Sequence, residues 1–194
     1  MNERTKGFDL ASVMAKAEIV DAIHRTPLWN IHKFRDHRDR VYKAGRAGLP
    51  LKYLLDNFEL IGALNIPNNV LLNEGINELW ALVAGTGATK FDNGNAYLGV
   101  GDSSAAADAT QTGLQASTNK LYKGMDTSYP TYGSSQIATW RATFGGSDAN
   151  FAWNEITVAN GNADAAKNLN RKVQSMGTKA SGTSWVASLQ ITLS

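Results

Sequence analysis

Hydrophobic residues recur along this chain with two different periods, and the changeover divides it. Between Phe8 and His24, Leu10, Val13, Ala17, Val20 and Ile23 follow at spacings of three and four, the period of an amphipathic helix, with Asp9 available as N-cap. Thr26-Pro27 ends that helix, because the residue before a proline is pushed out of the helical region. Trp29 and Ile31 then suggest a short extended piece. The charged stretch from Phe34 to Arg46 reads as a linker, and Leu51, Leu54, Leu55 and Phe58 after Pro50 read as a short helix. A clearer helix is expected over 70–84, with Leu72, Ile76, Leu79 and Val83 as its stripe and Trp80 beside them. Asn69 is its expected cap and Gly85-Thr86-Gly87 its stop. Gly75 inside it costs about 1 kcal/mol relative to alanine, which packing must offset.

From Asn95 onward the period falls to two. Ala138, Trp140, Ala142 and Phe144 alternate with Ile137, Thr139, Arg141 and Thr143, and Phe151 to Val158 behaves alike. In the final run Trp185, Ala187, Leu189, Ile191 and Leu193 share one face. Further strands are expected at 96–101, 120–125 and 169–176, separated by clusters such as Gly145-Gly146-Ser147-Asp148 and Asn160-Gly161-Asn162. The chain therefore reads as mainly β: an antiparallel β-sandwich or barrel over 69–194 with its lead-in helix at 70–84, preceded by a helical or extended N-terminal arm over 1–68.

Composition sharpens this picture modestly. A chain of 194 residues with 43% hydrophobic and 19% charged positions is near the globular average and sufficient for one compact domain with an appendage. With no cysteine, disulfide frameworks, thiolate metal sites and cysteine nucleophiles are all excluded. No apolar run approaches a membrane span, and the opening MNERTKGFDL lacks the basic-then-apolar order of a secretory signal, so a soluble protein made in the cytosol is expected. Residues 1–60 carry 11 Lys and Arg against 8 Asp and Glu, whereas 61–194 carry 8 against 9. An excess of three is too small for the dense basic surface that nucleic acid requires.

Catalytic motifs are sought without success. Gly99-Val100-Gly101-Asp102-Ser103-Ser104 has serine where a dinucleotide fingerprint needs its third glycine, and reads as a strand-ending turn. Gly85 to Lys90 is not a phosphate-binding loop. His24, His32 and His37 have spacings that match neither a same-face helical pair nor a common zinc pattern. Trp140, Phe144, Phe151, Trp153 and Trp185 read as core rather than a sugar-stacking platform, since they fall at strand positions. Glu155 has no partner carboxylate or base placed for it, and reads as a structural charge paired with Arg141 or Arg171. No cofactor, no metal and no enzymatic activity are expected.

Several blocks nevertheless form a recognisable series. Tyr97 to Ser104 (YLGVGDSS), Ala109 to Leu114 (ATQTGL), Trp140 to Gly145 (WRATFG), Ala149 to Glu155 (ANFAWNE), Leu169 to Lys172 (LNRK), Gly177 to Lys179 (GTK) and the terminal LQITLS, led by Leu71 to Ile76 (LLNEGI), resemble a β-rich family of tailed-bacteriophage virion proteins. The resemblance covers about 69–194. It implies a structural component of the virion, made in the host cytoplasm, homo-oligomeric and in contact with the major capsid protein or with tail or fibre subunits. A capsid decoration or cement protein is the first expectation, a tail or tail-fibre adaptor the alternative, and a glycan-binding module a more distant one. Residues 1–68 match no part of the family. Their expected contacts with virion subunits are the stripe Leu10, Val13, Ala17, Val20 and Ile23, aided by Arg35, Arg38 and Arg40.

Overall fold

A computed structural model describes residues 25–194 and shows two antiparallel five-stranded sheets packed face to face. The sandwich expected from the alternation is thus what forms. The first sheet runs in the order β2 (Leu60–Pro67), β1 (Arg25–Arg35), β10 (Thr183–Leu193), β7 (Ile137–Phe144), β6 (Thr131–Ser134). The second runs β3 (Val70–Leu71), β9 (Asn170–Thr178), β8 (Ala152–Ala159), β4 (Tyr97–Gly101), β5 (Lys120–Gly124). Three helices accompany them among the described residues: α1 (Arg40–Arg46), α2 (Leu51–Asn57) and α3 (Asn73–Ala84).

The core follows from period two. Trp29 and Ile31 of β1, Trp185, Ala187 and Leu189 of β10, and Ala142 and Phe144 of β7 meet Leu98, Val100, Trp153, Ile156 and Val158 of the second sheet. Trp153 is the hub, stacked edge-on against Phe144 and Trp185 with ring centroids 4.7 Å away in each case. Full burial of a large apolar side chain stabilises the fold by about 1.5–3 kcal/mol, so Trp29, Trp153 and Phe144 are major contributors.

This core overturns the division at residue 68. The expected short extended piece around Trp29 is an eleven-residue strand hydrogen-bonded on one side to β10, from Arg25 opposite Leu193 to Arg35 opposite Thr183, and on the other to β2. Residues 25–68 are therefore an integral part of the sandwich, not an arm beside it. Nor is Phe34 to Arg46 a linker. After β1 the buried carboxylate of Asp36 accepts hydrogen bonds from the Arg40 and Tyr42 amides at 2.8 and 2.9 Å and from the Ser184 hydroxyl at 2.7 Å, which starts α1 and fixes it to β10. The expected helix after Pro50 is α2.

Each sheet carries a cover on its outer face. On the first, Phe34 and Val186 point away from the core and pack with Val41 of α1 and Leu54 of α2. A Cβ at Gly45 would come 2.2 Å from the Thr143 hydroxyl, so only glycine lets α1 approach β7 this closely. Beneath it the buried Asp126 carboxylate binds Arg141 Nε at 2.9 Å, the Thr143 amide at 3.0 Å and the Thr143 hydroxyl at 2.8 Å. Burial raises the Asp126 carboxyl above its ordinary value against the pull of Arg141. Arg141 also donates to the carbonyls of Gly45 and Leu49 at 3.1 and 3.0 Å, tying α1 and the turn that leads into α2 to the sheet.

On the second sheet the cover is the loop between β4 and β5. Since Ile156 and Val158 face the core, Glu155 faces outward, opposite Gly101. Its carboxylate accepts the amides of Gln115 and Ala116 at 2.9 and 2.7 Å and Arg171 Nε at 2.7 Å. Arg171 in turn donates to Gln111 Oε1 at 2.8 Å and to the Ala106 carbonyl at 3.3 Å. Glu155 is thus a structural charge, and of the two arginines considered for it Arg171 is the partner while Arg141 serves Asp126.

Candidate functional site

The lead-in helix is where the structure departs most usefully from the pattern of the sequence. It starts at Asn73 with Leu72 in the N-cap position; Asn69, expected as the cap, instead takes hydrogen bonds from the Arg25 guanidinium at 3.1–3.3 Å. Its inward side is mixed: Leu82 packs on the core, and two half-buried glutamates bond to the body of the fold. Glu74 accepts the Asn168 amide at 2.9 Å, and Glu78 accepts the Thr89 amide at 2.7 Å and the Asn160 side-chain amide at 2.9 Å. Between the glutamates, a Cβ at Gly75 would fall 2.5 Å from Leu169 Cα, so this glycine lets the helix lie directly on the chain entering β9 and accounts for its presence within a helix.

With the glutamates turned in, much of the expected stripe is turned out. Leu72 is buried, but Leu79 is exposed, Trp80 is 60% exposed and Val83 is 78% exposed. A helix that ties its half-buried carboxylates to the fold through hydrogen bonds and presents Trp and Val to solvent has an apolar face without an internal partner.

Beside that face lies a groove of about 460 Å³ between α3 and the β6–β7 hairpin, at one open end of the sandwich. Trp140, Ile191, Leu193, Phe91 and Ile137 line it, with Leu79 on one wall and Tyr132 on the other. Trp140 Nε1 donates to the Phe91 carbonyl at 2.9 Å, so its polar atom is satisfied and the ring offers only carbon to the groove. Lys90, Asp92 and Gln136 are its polar members. The arrangement suits the binding of apolar side chains.

Of the residues expected to contact other subunits, the three described ones, Arg35, Arg38 and Arg40, do not line this groove. Leu10, Val13, Ala17, Val20 and Ile23 lie outside the described residues. Arg35, Arg38 and Arg40 surround a shallow depression with Asp36, His37 and Phe58. Arg35 pairs with Glu59 at 2.8 Å on the surface, and the Arg40 guanidinium lies 5.5 Å from the Phe58 ring. They stand at the far end of β1 from Arg25, ten residues or about 33 Å away.

No group of three or more His, Asp or Glu side chains among the described residues is placed to hold a metal ion. Burial lowers the His32 imidazole below its ordinary value on the outer face of β1, and His37 sits in the turn before α1. Trp140, Trp153 and Trp185 are in the core as expected, with Lys33 Nζ 4.2 Å above the Trp185 ring. The exposed face of α3 escaped sequence reasoning because the same residues spell an ordinary inward stripe. The one available signal was the pair Glu74 and Glu78, one turn apart beside an interior glycine.

Comparison with family models, with curated proteins and with solved structures finds no match to this chain.

Proposed function

We propose that the protein is a structural component of a tailed-phage particle, a decoration or cement protein that binds the outside of the head lattice through the outward face of α3. The observation that carries this reading is the inverted helix: Glu74 and Glu78 held inside, Trp80 and Val83 outside. Exposed large apolar side chains clustered on one element mark a protein contact surface. The blocks that resemble virion proteins support the same reading. Those around Gly101, Gln111, Glu155 and Arg171 converge on the clamp that holds the outer loop to the second sheet, so the resemblance follows a scaffold and its surface loop. On this reading the protein acts by binding, without catalysis. A protein that binds only the assembled lattice stabilises it by mass action.

The test uses particles assembled with and without the protein. Without it, particles should be complete yet break at lower temperature, and adding the protein should restore the higher one. Trp80→Glu combined with Val83→Glu should abolish co-sedimentation with the particles while leaving the isolated protein's melting temperature within about 2 °C, as expected for exposed positions. Complete particles of normal heat resistance would refute the decoration role, and particles lacking a tail or fibre would replace it with the adaptor role.

A further inference from the structure

The edges at which the two sheets end are not alike, and one of them is left long and uncharged. We propose that this edge, β2, is a dimer interface: it pairs antiparallel, across a two-fold axis at Leu64, with β2 of a second copy of this chain. This inference is independent of any role in a virion.

An open strand edge offers unpaired N–H and C=O groups to any other strand, and folded proteins blunt such edges by shortening or charging them. Among the described residues three of the edges are so treated. β3 has two residues and β6 has four, and β5 carries Lys120 and Lys123. β2 has eight residues, Leu60–Pro67, and no charged side chain.

The hydrogen-bonding phase of β2 follows from its pairing with β1. The Asn68 amide donates to the Pro27 carbonyl at 3.2 Å, and successive residues of an antiparallel strand turn their backbone groups to alternate sides. Ile66, Leu64 and Gly62 therefore bond to β1, opposite Trp29, Ile31 and Lys33. Ala63 and Asn65 turn their N–H and C=O groups to the free edge. The bulge at Ile61 and the missing N–H of Pro67 confine the pairable stretch to Gly62–Ile66.

That stretch is complementary to itself. Its midpoint is Leu64, so an antiparallel copy sets Ala63 opposite Asn65 of the second copy, and Asn65 opposite Ala63 of the second copy, each pair exchanging both N–H···O=C bonds. Leu64 then meets Leu64 of the second copy at the non-hydrogen-bonded position, where side chains approach most closely. It packs against the core yet is only half-buried, and the second copy completes its cover. Ile61, 45% exposed, lies beside Pro67 of the second copy. A two-fold axis brings equivalent residues together, and a strand without charge meets no like-charge repulsion there. The first sheets of the two copies become one continuous sheet.

Sedimentation of the full chain should give twice the mass of one chain. Asn65→Pro removes an N–H that points away from β1, at an edge position where proline is tolerated, and should give the mass of a single chain with unchanged far-ultraviolet circular dichroism. A wild-type monomer would overturn the proposal, as would a dimer that persists in folded Asn65→Pro. Should Asn65→Pro not fold, cross-linking decides. The sequence has no cysteine, and the Cα atoms of a non-hydrogen-bonded pair lie about 4.5 Å apart, within disulfide reach. Under oxidation Leu64→Cys should become a covalent dimer about tenfold faster than Tyr132→Cys, whose thiol sits on the exposed edge strand β6. Equal rates would refute pairing through β2.

Discussion

The outer face of the first sheet lies under two helices and that of the second under a loop, and the two covers are fastened differently. Both rest on a buried carboxylate bound to a buried guanidinium, Asp126 with Arg141 and Glu155 with Arg171. Under the helices, however, Phe34, Val41, Leu54 and Val186 form a small apolar core of their own. Under the loop, the second sheet presents Gly99 and Gly101, and the polar clamp is the main attachment. A cover with its own apolar cluster is expected to survive loss of its ion pair. The other is held chiefly by the Glu155 clamp, with single bonds from Asn73 to Ala109 and from Gly113 to Glu74 and with only Leu114 and Ala116 of its apolar side chains buried, and is expected to loosen with it.

Removing either arginine tests this most severely. Arg171→Met leaves the buried Glu155 carboxylate unpaired and should cost about 3–5 kcal/mol of stability in denaturant melts. Arg141→Met leaves Asp126 with Arg46, 3.3 Å away, and should cost less. Their local consequences should differ. Arg171→Met should expose the loop of residues 103–118 to thermolysin under native conditions, with cleavage beside Leu114, while Arg141→Met should leave residues 40–57 resistant. Equal local cleavage in the two variants would break the comparison.

The converse substitution acts on the helical cover. Leu54→Ala removes most of a fully buried side chain from the small apolar core and should cost about 2–3 kcal/mol. Hydrogen exchange should accelerate in α2 and not in residues 103–118. Unchanged exchange in α2 would mean that the Arg141 contacts alone hold it.

An effect of comparable size, from pH, belongs at first to neither cover. Lys179 is 1% exposed, donates to the Gly145 carbonyl at 2.6 Å and to Asn150 Oδ1 at 3.0 Å, and is held by burial at a pKa of about 8. The unfolded chain keeps this proton up to about 10.5, so above pH 8 it binds more protons than the folded one and stability rises with pH. The full gain is about 3 kcal/mol at most. Burial raises the Tyr122 phenol, which donates to Asp164 at 3.1 Å beside the loop cover. Above pH 10 the unfolded chain loses a proton that folded Tyr122 keeps, and stability falls. Melting temperature should therefore climb between pH 8 and 10 and then decline, with the climb reduced in Lys179→Met and the remainder assigned to Lys33, which burial also lowers. A climb undiminished in that variant would assign it to another group.

Legibility in the sequence followed how locally each element is specified. β7, β8 and β10 were readable because alternating apolar residues meet a buried face on one side only. β1 was not, because Pro27 and four charged or histidine side chains interrupt its pattern, and its partners lie far along the chain at 60–67 and 183–193. β2 and β6, at the two edges of the first sheet, are largely exposed and offer little alternation. The helix of α3 was legible but its orientation was not, since hydrogen bonds to Glu74 and Glu78, made with distant residues 89, 160 and 168, decide which side faces in. For the same reason the groove could not be anticipated: its walls come from six separate stretches of chain.

The pairing of β1 with β10 also sets the order in which the protein can be made. The first described strand finds its main partner only at Thr183–Leu193, so the first sheet remains incomplete until that stretch has been made. Until then Trp29, Ile31 and Phe34 lack the strand that completes their burial, and β1 offers one unpaired edge to any neighbouring nascent chain. Contacts separated by so much of the sequence also make for slow folding. Yield in the cell is therefore expected to depend on how well that waiting strand is shielded, and deletion of Thr183–Leu193 removes the partner of β1 along with β10 itself.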